Sequence, residues 1–162
     1  MKKYTIIFIA LFGIITVSCK KNDQNNSYMN ATVNGQIYES IKINAHFPAS
    51  SNKGILSIQS SASGGRTISL IINGYKGAGT YNFKSDNITG KRALCTYSYM
   101  DEQDKSSIIF TTEDTDNNGS ITITKEEGNA VEGTFNFTAL YSPNPSKKEY
   151  ITISTGSFKA NF

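Results

Sequence analysis

The sequence has few of the side chains that usually build catalytic and zinc sites. It contains one histidine, two cysteines, three prolines and no tryptophan among 162 residues. The histidine, His46, has no cysteine or carboxylate at ligand spacing, so it does not form a zinc motif. The sequence also lacks a nucleophile elbow and a His-Glu-x-x-His segment. We therefore predict no catalytic residues and no resident cofactor, and we expect that the protein is not an enzyme.

One route to catalysis stays open in the sequence. Glu113, Glu132 and Glu149 are dispersed along the chain, and two of them would form a glycosidase-like pair if folding brought them together. The spacing of the three residues does not indicate whether they meet.

The two cysteines do not form a disulfide framework, even though the N-terminus predicts export. Cys95 lies in Ala93-Leu94-Cys95-Thr96-Tyr97, a predicted strand in which a small apolar cysteine packs well. We therefore place Cys95 in the core. Packing of that core must stabilise the domain without a disulfide.

Charge of either sign is sparse. The chain carries 16 basic and 13 acidic residues, which gives a formal net charge of +3. Lys2 and Lys3 belong to a predicted leader, so the charge from Cys19 onward falls to +1. Basic residues form nothing longer than pairs, such as Lys91-Arg92 and Lys147-Lys148. This distribution argues against nucleic acid as a partner.

Long apolar runs are absent except at the N-terminus. An apolar run extends from Thr5 to Ile15, directly behind the basic pair Lys2-Lys3. It is too short for the roughly 20 residues that cross a bilayer as a helix. A basic pair followed by a short apolar run is typical of a signal peptide, which we assign to residues 1–18.

The end of this leader predicts a lipid anchor. Thr16-Val17-Ser18-Cys19 resembles a lipobox, in which the chain is cut before the cysteine and the cysteine is acylated. The match departs at Thr16, where lipoboxes carry Leu, Val or Ile. The alternative is an ordinary secretory signal with an incidental cysteine. On this resemblance we expect Cys19 to be lipidated. Two or more acyl chains suffice for stable anchoring without a transmembrane segment.

The anchor places the protein at a membrane of the cell envelope. We expect the outer membrane, on either its periplasmic or its surface face. Residues 19–27 consist of the cysteine and a polar segment that follows it. We predict that they form a flexible tether with a reach of about 15 Å. Residues 28–162 have the length of a single domain.

Apolar residues alternate with Ser and Thr along most of this domain. In one such segment Ile68, Leu70 and Ile72 alternate with the residues between them. Turn signals such as Asn34-Gly35 and Gly128-Asn129 separate the alternating segments. The pattern predicts an all-β fold, either an antiparallel β-sandwich or a short closed barrel, with roughly nine or ten strands.

A terminal phenylalanine on an alternating strand is also typical of outer-membrane barrels. Too few strands here reach the roughly 9–11 residues that a bilayer requires. We therefore expect Phe158 and Phe162 to point from an end strand into the core of a domain that lies outside the bilayer.

Four segments follow one another in a distinctive order. They are Gly79-Thr80-Tyr81-Asn82-Phe83, the GxITIT segment at 119–124, the GTFxFTA segment at 133–139 and the ITIxxGSF segment at 151–158. In this order the chain resembles an uncharacterised small lipoprotein family of Bacteroidota. The resemblance covers most of the chain after Cys19, and implies an all-β fold and a lipid anchor but no catalytic residue. The chain departs from the family pattern in lacking tryptophan, with Tyr38 as the aromatic residue after the first Asn-Gly turn.

One segment has the spacing of a calcium loop. Asp114, Asp116 and Asn118 occupy its first, third and fifth positions and Gly119 its sixth, as in an EF-hand. The twelfth position holds Lys125 instead of a glutamate, and the segment after Gly119 predicts a strand instead of a helix. Because Asp, Asn and Gly also favour ordinary hairpin turns, a plain turn is the alternative to a calcium site.

A glycine-rich segment, residues 73–79, follows a predicted strand. It lacks the Gly-Lys-Ser/Thr ending of a phosphate loop and the helix that would follow one. We predict a mobile connection between two strands.

Five tyrosines are candidates for recognition, because a tyrosine supplies rigid contact area with a polar tip. They also suit strand pairs and the core, and the sequence does not separate the two roles. These tyrosines are Tyr75, Tyr97, Tyr99, Tyr141 and Tyr150.

These observations favour a lipid-anchored envelope protein with a non-enzymatic binding or scaffolding domain. Its partners would be the membrane, through the lipid, and a glycan or protein ligand, through the loops. The alternative is a carrier that holds a small hydrophobic ligand inside a lipocalin-like barrel. The two differ in the interior of the domain, because a carrier needs a cavity of about 300–1,000 Å³.

The calcium hypothesis can be tested with Tb³⁺ luminescence and with calorimetry at millimolar calcium. Binding that is lost in Asp114→Ala supports the loop, because that substitution removes the carboxylate at the first position. If neither signal appears, the hypothesis is wrong and the segment is a hairpin turn.

Overall fold

The computed structural model describes residues 27–48, 54–83, 92–112, 119–144 and 147–162. These ranges contain ten β-strands and a 3-10 turn at Ser63–Gly65. The strands are β1 (Tyr28–Val33), β2 (Gln36–His46), β3 (Ile55–Ala62), β4 (Thr67–Asn73), β5 (Gly79–Asn82), β6 (Arg92–Met100), β7 (Ser107–Thr111), β8 (Ser120–Glu127), β9 (Ala130–Asn144) and β10 (Lys147–Asn161). Within the same ranges, no helix is long and apolar enough to cross a membrane.

The strands form a closed antiparallel barrel. Eight of them pair in the order β1-β2-β3-β4-β6-β7-β9-β10, and the ring closes because β10 pairs with both β9 and β1. Tyr28 lies opposite Lys159 in the β1–β10 pair, and Glu132 lies opposite Lys159 in the β9–β10 pair. The all-β prediction is confirmed, and of the two predicted architectures the short closed barrel is the one that forms.

The remaining two strands, β5 and β8, extend the same sheet outside the ring. β7 and β8 both pair with β9, with Thr111 opposite Leu140 and Ser120 opposite Asn136. β5 then pairs with β8 along its whole length. β8 and β5 therefore extend the sheet beside the first half of β9, while β7 closes the ring beside its second half.

The direction of the strands gives the barrel two distinct ends. β1 begins and β10 finishes at one end, which we call the N-terminal end. The turn after β1, the 3-10 turn after β3 and the turn after β6 lie at the opposite end, which we call the distal end. The two ends expose different turns and thus different side chains.

The core fills the inside of the barrel, as the alternation predicts. On β3 and β4 the buried side chains alternate with half-buried or exposed ones, and Leu56, Ile58 and Leu70 have no exposed surface. Full burial of one such side chain contributes about 1.5–3 kcal/mol relative to exposure. The largest fully buried side chains are Tyr38, Phe135, Phe158 and Met29. The interior thus consists of packed side chains from strands along the whole described part of the chain.

The C-terminal phenylalanines follow the prediction to different degrees. Phe158 is buried in the core. Phe162 is only half-buried and packs against the core from its edge, with its ring 4.8 Å from that of Phe47 in an edge-on contact. Phe162 lies beyond the end of β10, where the barrel no longer encloses a side chain.

The first hairpin has the turn that its sequence predicts. Asn34 and Gly35 have φ angles of 46° and 82°, the positive values that a two-residue hairpin turn requires. The Asn34 side chain also accepts a hydrogen bond from the backbone N–H of Thr152 at 2.8 Å. The turn between β1 and β2 is thereby fixed to β10.

Three glycines of the wall are each covered by a phenylalanine ring. A Cβ on Gly133 would lie 2.3 Å from the carbonyl oxygen of Thr122 and 2.7 Å from the ring of Phe158. Phe83 covers Gly119 and Phe135 covers Gly156 at similar distances. The glycines that open the GxITIT and GTFxFTA segments, and the one inside ITIxxGSF, are therefore sites where a ring lies directly on the backbone.

We predict that Gly133→Ala destabilises the barrel by about 3 kcal/mol, because the new methyl group would overlap a carbonyl oxygen and the Phe158 ring. Urea unfolding followed by far-ultraviolet circular dichroism measures the change. Thr134→Ala, at the exposed neighbouring position, is the control and should cost less than about 1 kcal/mol. Equal unfolding free energies for the two variants would contradict the packing account.

Candidate functional site

Several residues predicted from the sequence lie outside the described ranges. They are Cys19 and the calcium-loop residues Asp114, Asp116 and Asn118. The described part of the calcium-loop segment begins at Gly119, which is buried. β8 follows it, beginning at Ser120. The strand predicted after Gly119 is thus confirmed. Among the described residues, no group of three His, Cys, Asp or Glu side chains is close enough to hold a metal ion.

The described members of the glutamate set do not come together. Glu132 lies at the N-terminal end of the barrel and pairs with Lys159 at 3.0 Å. Glu149 lies near the distal end and pairs with Lys147 at 3.0 Å. Glu113 is outside the described ranges. His46, at the end of β2, is exposed. Glu132 and Glu149 therefore do not form the glycosidase-like pair that the sequence left open.

Cys95 lies in the core, as predicted. Its side chain has no exposed surface, and burial raises the pKa of the thiol well above its ordinary value. Its backbone N–H donates to the hydroxyl of Thr112 at 2.9 Å. Because the thiolate is the reactive form of cysteine, the buried Cys95 is poorly suited to nucleophilic chemistry.

The glycine-rich connection between β4 and β5 is not the loose segment that its composition predicts. The hydroxyl of Tyr75 donates to the carboxylate of Glu126 at 2.9 Å, and that of Tyr81 donates to the carbonyl of Gly77 at 2.7 Å. The two tyrosine rings stack with their centroids 6.0 Å apart. Burial and the bond to Glu126 raise the pKa of Tyr75. The prediction of a mobile connection is wrong, because two aromatic rings fasten it to the barrel.

Among the described residues, a groove with a volume of about 630 Å³ at the distal end of the barrel combines aromatic and polar side chains suited to binding. Its lining comes from three separate parts of the chain: the start of β2, the 3-10 turn and the end of β6 with the turn that follows it. We call it the distal groove. The lining residues are Gln36, Gly64, Arg66, Tyr97, Tyr99, Met100, Asp101, Glu102 and Gln103.

Aromatic rings support one side of the distal groove. Tyr97 is buried, while Tyr99, two residues further along β6, is half-buried, and their centroids are 6.1 Å apart. The ring of Phe110 stacks on that of Tyr99 at 6.3 Å and lies 6.3 Å from that of Tyr97, and Tyr141 contacts Phe110 at 5.6 Å. Packing against Tyr97 and Phe110 restricts the direction in which Tyr99 faces the groove.

Arg66 supplies the positive charge of the groove. Its guanidinium donates to the carbonyl oxygens of Ser63 at 3.1 Å and Ile37 at 3.3 Å. It also lies over the ring of Tyr38, 5.7 Å from the centroid. These contacts hold the guanidinium in one place before any ligand arrives.

The ring beneath Arg66 belongs to a buried polar cluster. The hydroxyl groups of Tyr38 and Ser60 are 2.8 Å apart, and Ser60 donates in turn toward the sulfur of Met29 at 2.9 Å. Burial raises the pKa of Tyr38, and the bond to Ser60 and the charge of Arg66 partly oppose the shift. The cluster holds the buried Tyr38 ring in place beneath Arg66.

The turn after β6 forms the acidic wall of the groove. Asp101 and Ser106 close the turn through a backbone hydrogen bond of 2.9 Å. The carboxylate of Asp101 accepts the backbone N–H of Gln103, and that of Asp104 accepts the backbone N–H of Ser106, both at 2.8 Å. The bonds from Ser106 lower the pKa of Asp104. The wall is therefore an ordered turn, and Asp101 and Glu102 in it line the groove.

The five candidate tyrosines lie in different parts of the structure. Tyr97 and Tyr99 line the distal groove, Tyr141 supports it through Phe110, and Tyr75 is buried at the other end of the barrel. Tyr150 is 58% exposed on β10 and is not part of the groove lining.

Sequence reasoning missed the polar residues of the groove. Arg66, Gln36 and Gln103 have no shared motif, since Gln36 and Arg66 follow two different turns and Gln103 lies within a third. One signal was present: Arg66 is one of two arginines in the chain and directly follows the turn Ser63-Gly64-Gly65.

Comparisons with known proteins identify a family. A family model described as Domain of unknown function (DUF6252) matches residues 25–160. That range begins before β1 and contains every strand except the last residue of β10, so it covers the whole barrel. Searches of curated proteins and of solved structures find no match. The match confirms the expected membership of a family of unknown function: this chain belongs to Domain of unknown function (DUF6252).

Proposed function

We propose that this protein is a lipid-anchored lipoprotein of the bacterial cell envelope, with a non-enzymatic domain that binds its ligand in the distal groove. The observation that carries the proposal is the position of the groove, which opens at the end of the barrel opposite the start of β1. The lipobox at Cys19 and the resemblance of the ordered segments to lipoproteins of Bacteroidota support the anchor.

The dimensions of the molecule suit presentation of a ligand away from a membrane. The predicted tether between Cys19 and Tyr28 has eight residues and a reach of about 15 Å. β3 has eight residues, which at the usual strand rise and tilt gives a barrel about 20 Å tall. With the N-terminal end beside the lipid, the distal groove faces the surrounding space.

The chemistry of the groove favours binding over catalysis. A hydrolytic carboxylate pair flanks the bond that it cleaves. Asp101 and Glu102 are instead neighbours in one turn and form a single wall of the groove. Arg66 is held by backbone carbonyls and an aromatic ring, an arrangement that orients a ligand without activating a nucleophile.

A carrier of a small hydrophobic ligand is the second candidate, because closed barrels of eight strands are also the architecture of lipocalin-like carriers. It ranks lower because Met29, Tyr38, Phe135 and Phe158 fill positions inside the barrel and have almost no exposed surface. A carrier would need that space for its ligand.

Native mass spectrometry of the protein purified from its own host separates the two functions. We expect the mass of the lipidated chain alone, because the barrel interior is packed with side chains. A retained hydrophobic molecule of defined mass would favour the carrier over the groove-binding module.

We predict that Cys19→Ser releases the protein from membranes and abolishes palmitate labelling, while the barrel stays folded. Membrane fractionation, metabolic labelling and far-ultraviolet circular dichroism measure these three effects. Cys95→Ala is the matched control: it removes the buried cysteine, and label and membrane association should persist. A Cys19→Ser protein that still sediments with membranes would show that the anchor is elsewhere.

A further inference from the structure

We infer that the distal groove is a binding site for a neutral glycan, with the exposed part of the Tyr99 ring as the platform for one sugar ring. The inference rests on the proposed function in one respect, namely that the distal groove is the binding surface. It names the chemical class of the ligand, which the family match leaves open.

The first argument is the rigidity of Tyr99. Its ring is half-buried, contacts Tyr97 at 6.1 Å and stacks on Phe110 at 6.3 Å. A sugar ring presents C–H groups on its faces, and these pack on an aromatic face in the way other apolar groups do. Because the neighbouring rings already hold Tyr99, little side-chain entropy is lost when a sugar binds.

The second argument is the mixture of polar groups around that platform. Arg66 donates hydrogen bonds, Asp101 and Glu102 accept them, and the amides of Gln36 and Gln103 do both. A sugar hydroxyl is both donor and acceptor, so a polyhydroxylated ligand can satisfy every one of these groups. An apolar ligand would bury them without partners, which is unfavourable.

The charge of the groove argues against an anionic ligand. Its lining contains one guanidinium, Arg66, and two carboxylates, Asp101 and Glu102. A phosphate or a uronic acid entering here would meet an excess of negative charge, and Arg66 already donates to two carbonyl oxygens. A neutral glycan avoids this repulsion.

The backbone around the groove argues against an extended peptide. Peptides that add a strand need a free sheet edge. In the part of β6 that lines the groove, Tyr97 is paired on both sides, with Ile68 of β4 and Phe110 of β7. Tyr99 and Met100 are paired on the β7 side, and their β4 side is an edge of two residues, which is too short to add a peptide strand. Only side chains and turns are available to a ligand, and these suit hydroxyl groups better than a peptide backbone.

The test uses the full mature, lipidated chain in detergent micelles and a defined set of probes. The neutral probes are tetrasaccharides of β-linked glucose, α-linked glucose, xylose, mannose and N-acetylglucosamine. The comparison probes are a tetragalacturonate and an uncharged tetrapeptide. Saturation-transfer difference NMR detects binding, and calorimetry gives the Kd. We expect at least one neutral tetrasaccharide to bind more tightly than both comparison probes.

Substitutions locate the binding to the groove. Tyr99→Ala should weaken binding of that tetrasaccharide by about tenfold, while Tyr99→Phe, which keeps the ring face, should stay within about threefold. Tyr150→Ala is the matched control, because Tyr150 is an exposed tyrosine outside the groove lining. Gln103→Ala, at an exposed turn position, is a second groove variant for use if Tyr99→Ala does not fold, and it should weaken binding about threefold.

The possible results are distinct. The inference is overturned if no neutral tetrasaccharide binds, or if Tyr150→Ala weakens binding as much as Tyr99→Ala. It is also overturned if the tetrapeptide or the tetragalacturonate binds best and depends on Tyr99, although the groove would then remain a binding surface as proposed. A Cys19→Ser protein that still sediments with membranes would refute the anchor and leave the glycan result unaffected.

Discussion

The pairing of β10 with both β9 and β1 is the interaction on which the rest of the structure depends. It joins the first strand of the barrel to the last, so β1 and β10 are each paired on both sides. Gly133 on β9 and Gly156 on β10 lie beneath the rings of Phe158 and Phe135, each on the paired strand, so these positions of the β9–β10 pair need the smallest residue. In the closed ring the turns of β2, β3–β4 and β6 meet at one end, where they line the distal groove.

The sequence predicted the strands well because their signal is local. Alternation of apolar and polar residues within a few positions identified the inward side chains of β3 and β4, and Asn34-Gly35 identified the first turn. The choice between sandwich and barrel depends on the β1–β10 pair, whose partners are separated by more than a hundred residues. No local pattern encodes such a pairing.

The groove was predictable only in part, for the same reason. Tyr97 and Tyr99 stood out because tyrosines near strand ends suit recognition, and both reach the groove. Arg66 and Gln36 were not found, since their turns meet only when β2, β3 and β4 pair as neighbours in the sheet. The glycine-rich connection shows the opposite error. Its composition suggested freedom, but Tyr75 in the connection bonds to Glu126 of β8, and Tyr81 of β5 bonds back to Gly77 in the connection.

The position of β1 also has a mechanical consequence. A force between a lipid at Cys19 and a polymer held in the distal groove would act along β1, from Tyr28 toward the first turn. β1 is hydrogen-bonded on both sides, to β2 and to β10, and these bonds lie perpendicular to the strand. Such a force loads the bonds together in shear instead of opening them one after another. With the proposed anchor and ligand in place, the barrel would transmit tension between a membrane and the molecule held at its far end.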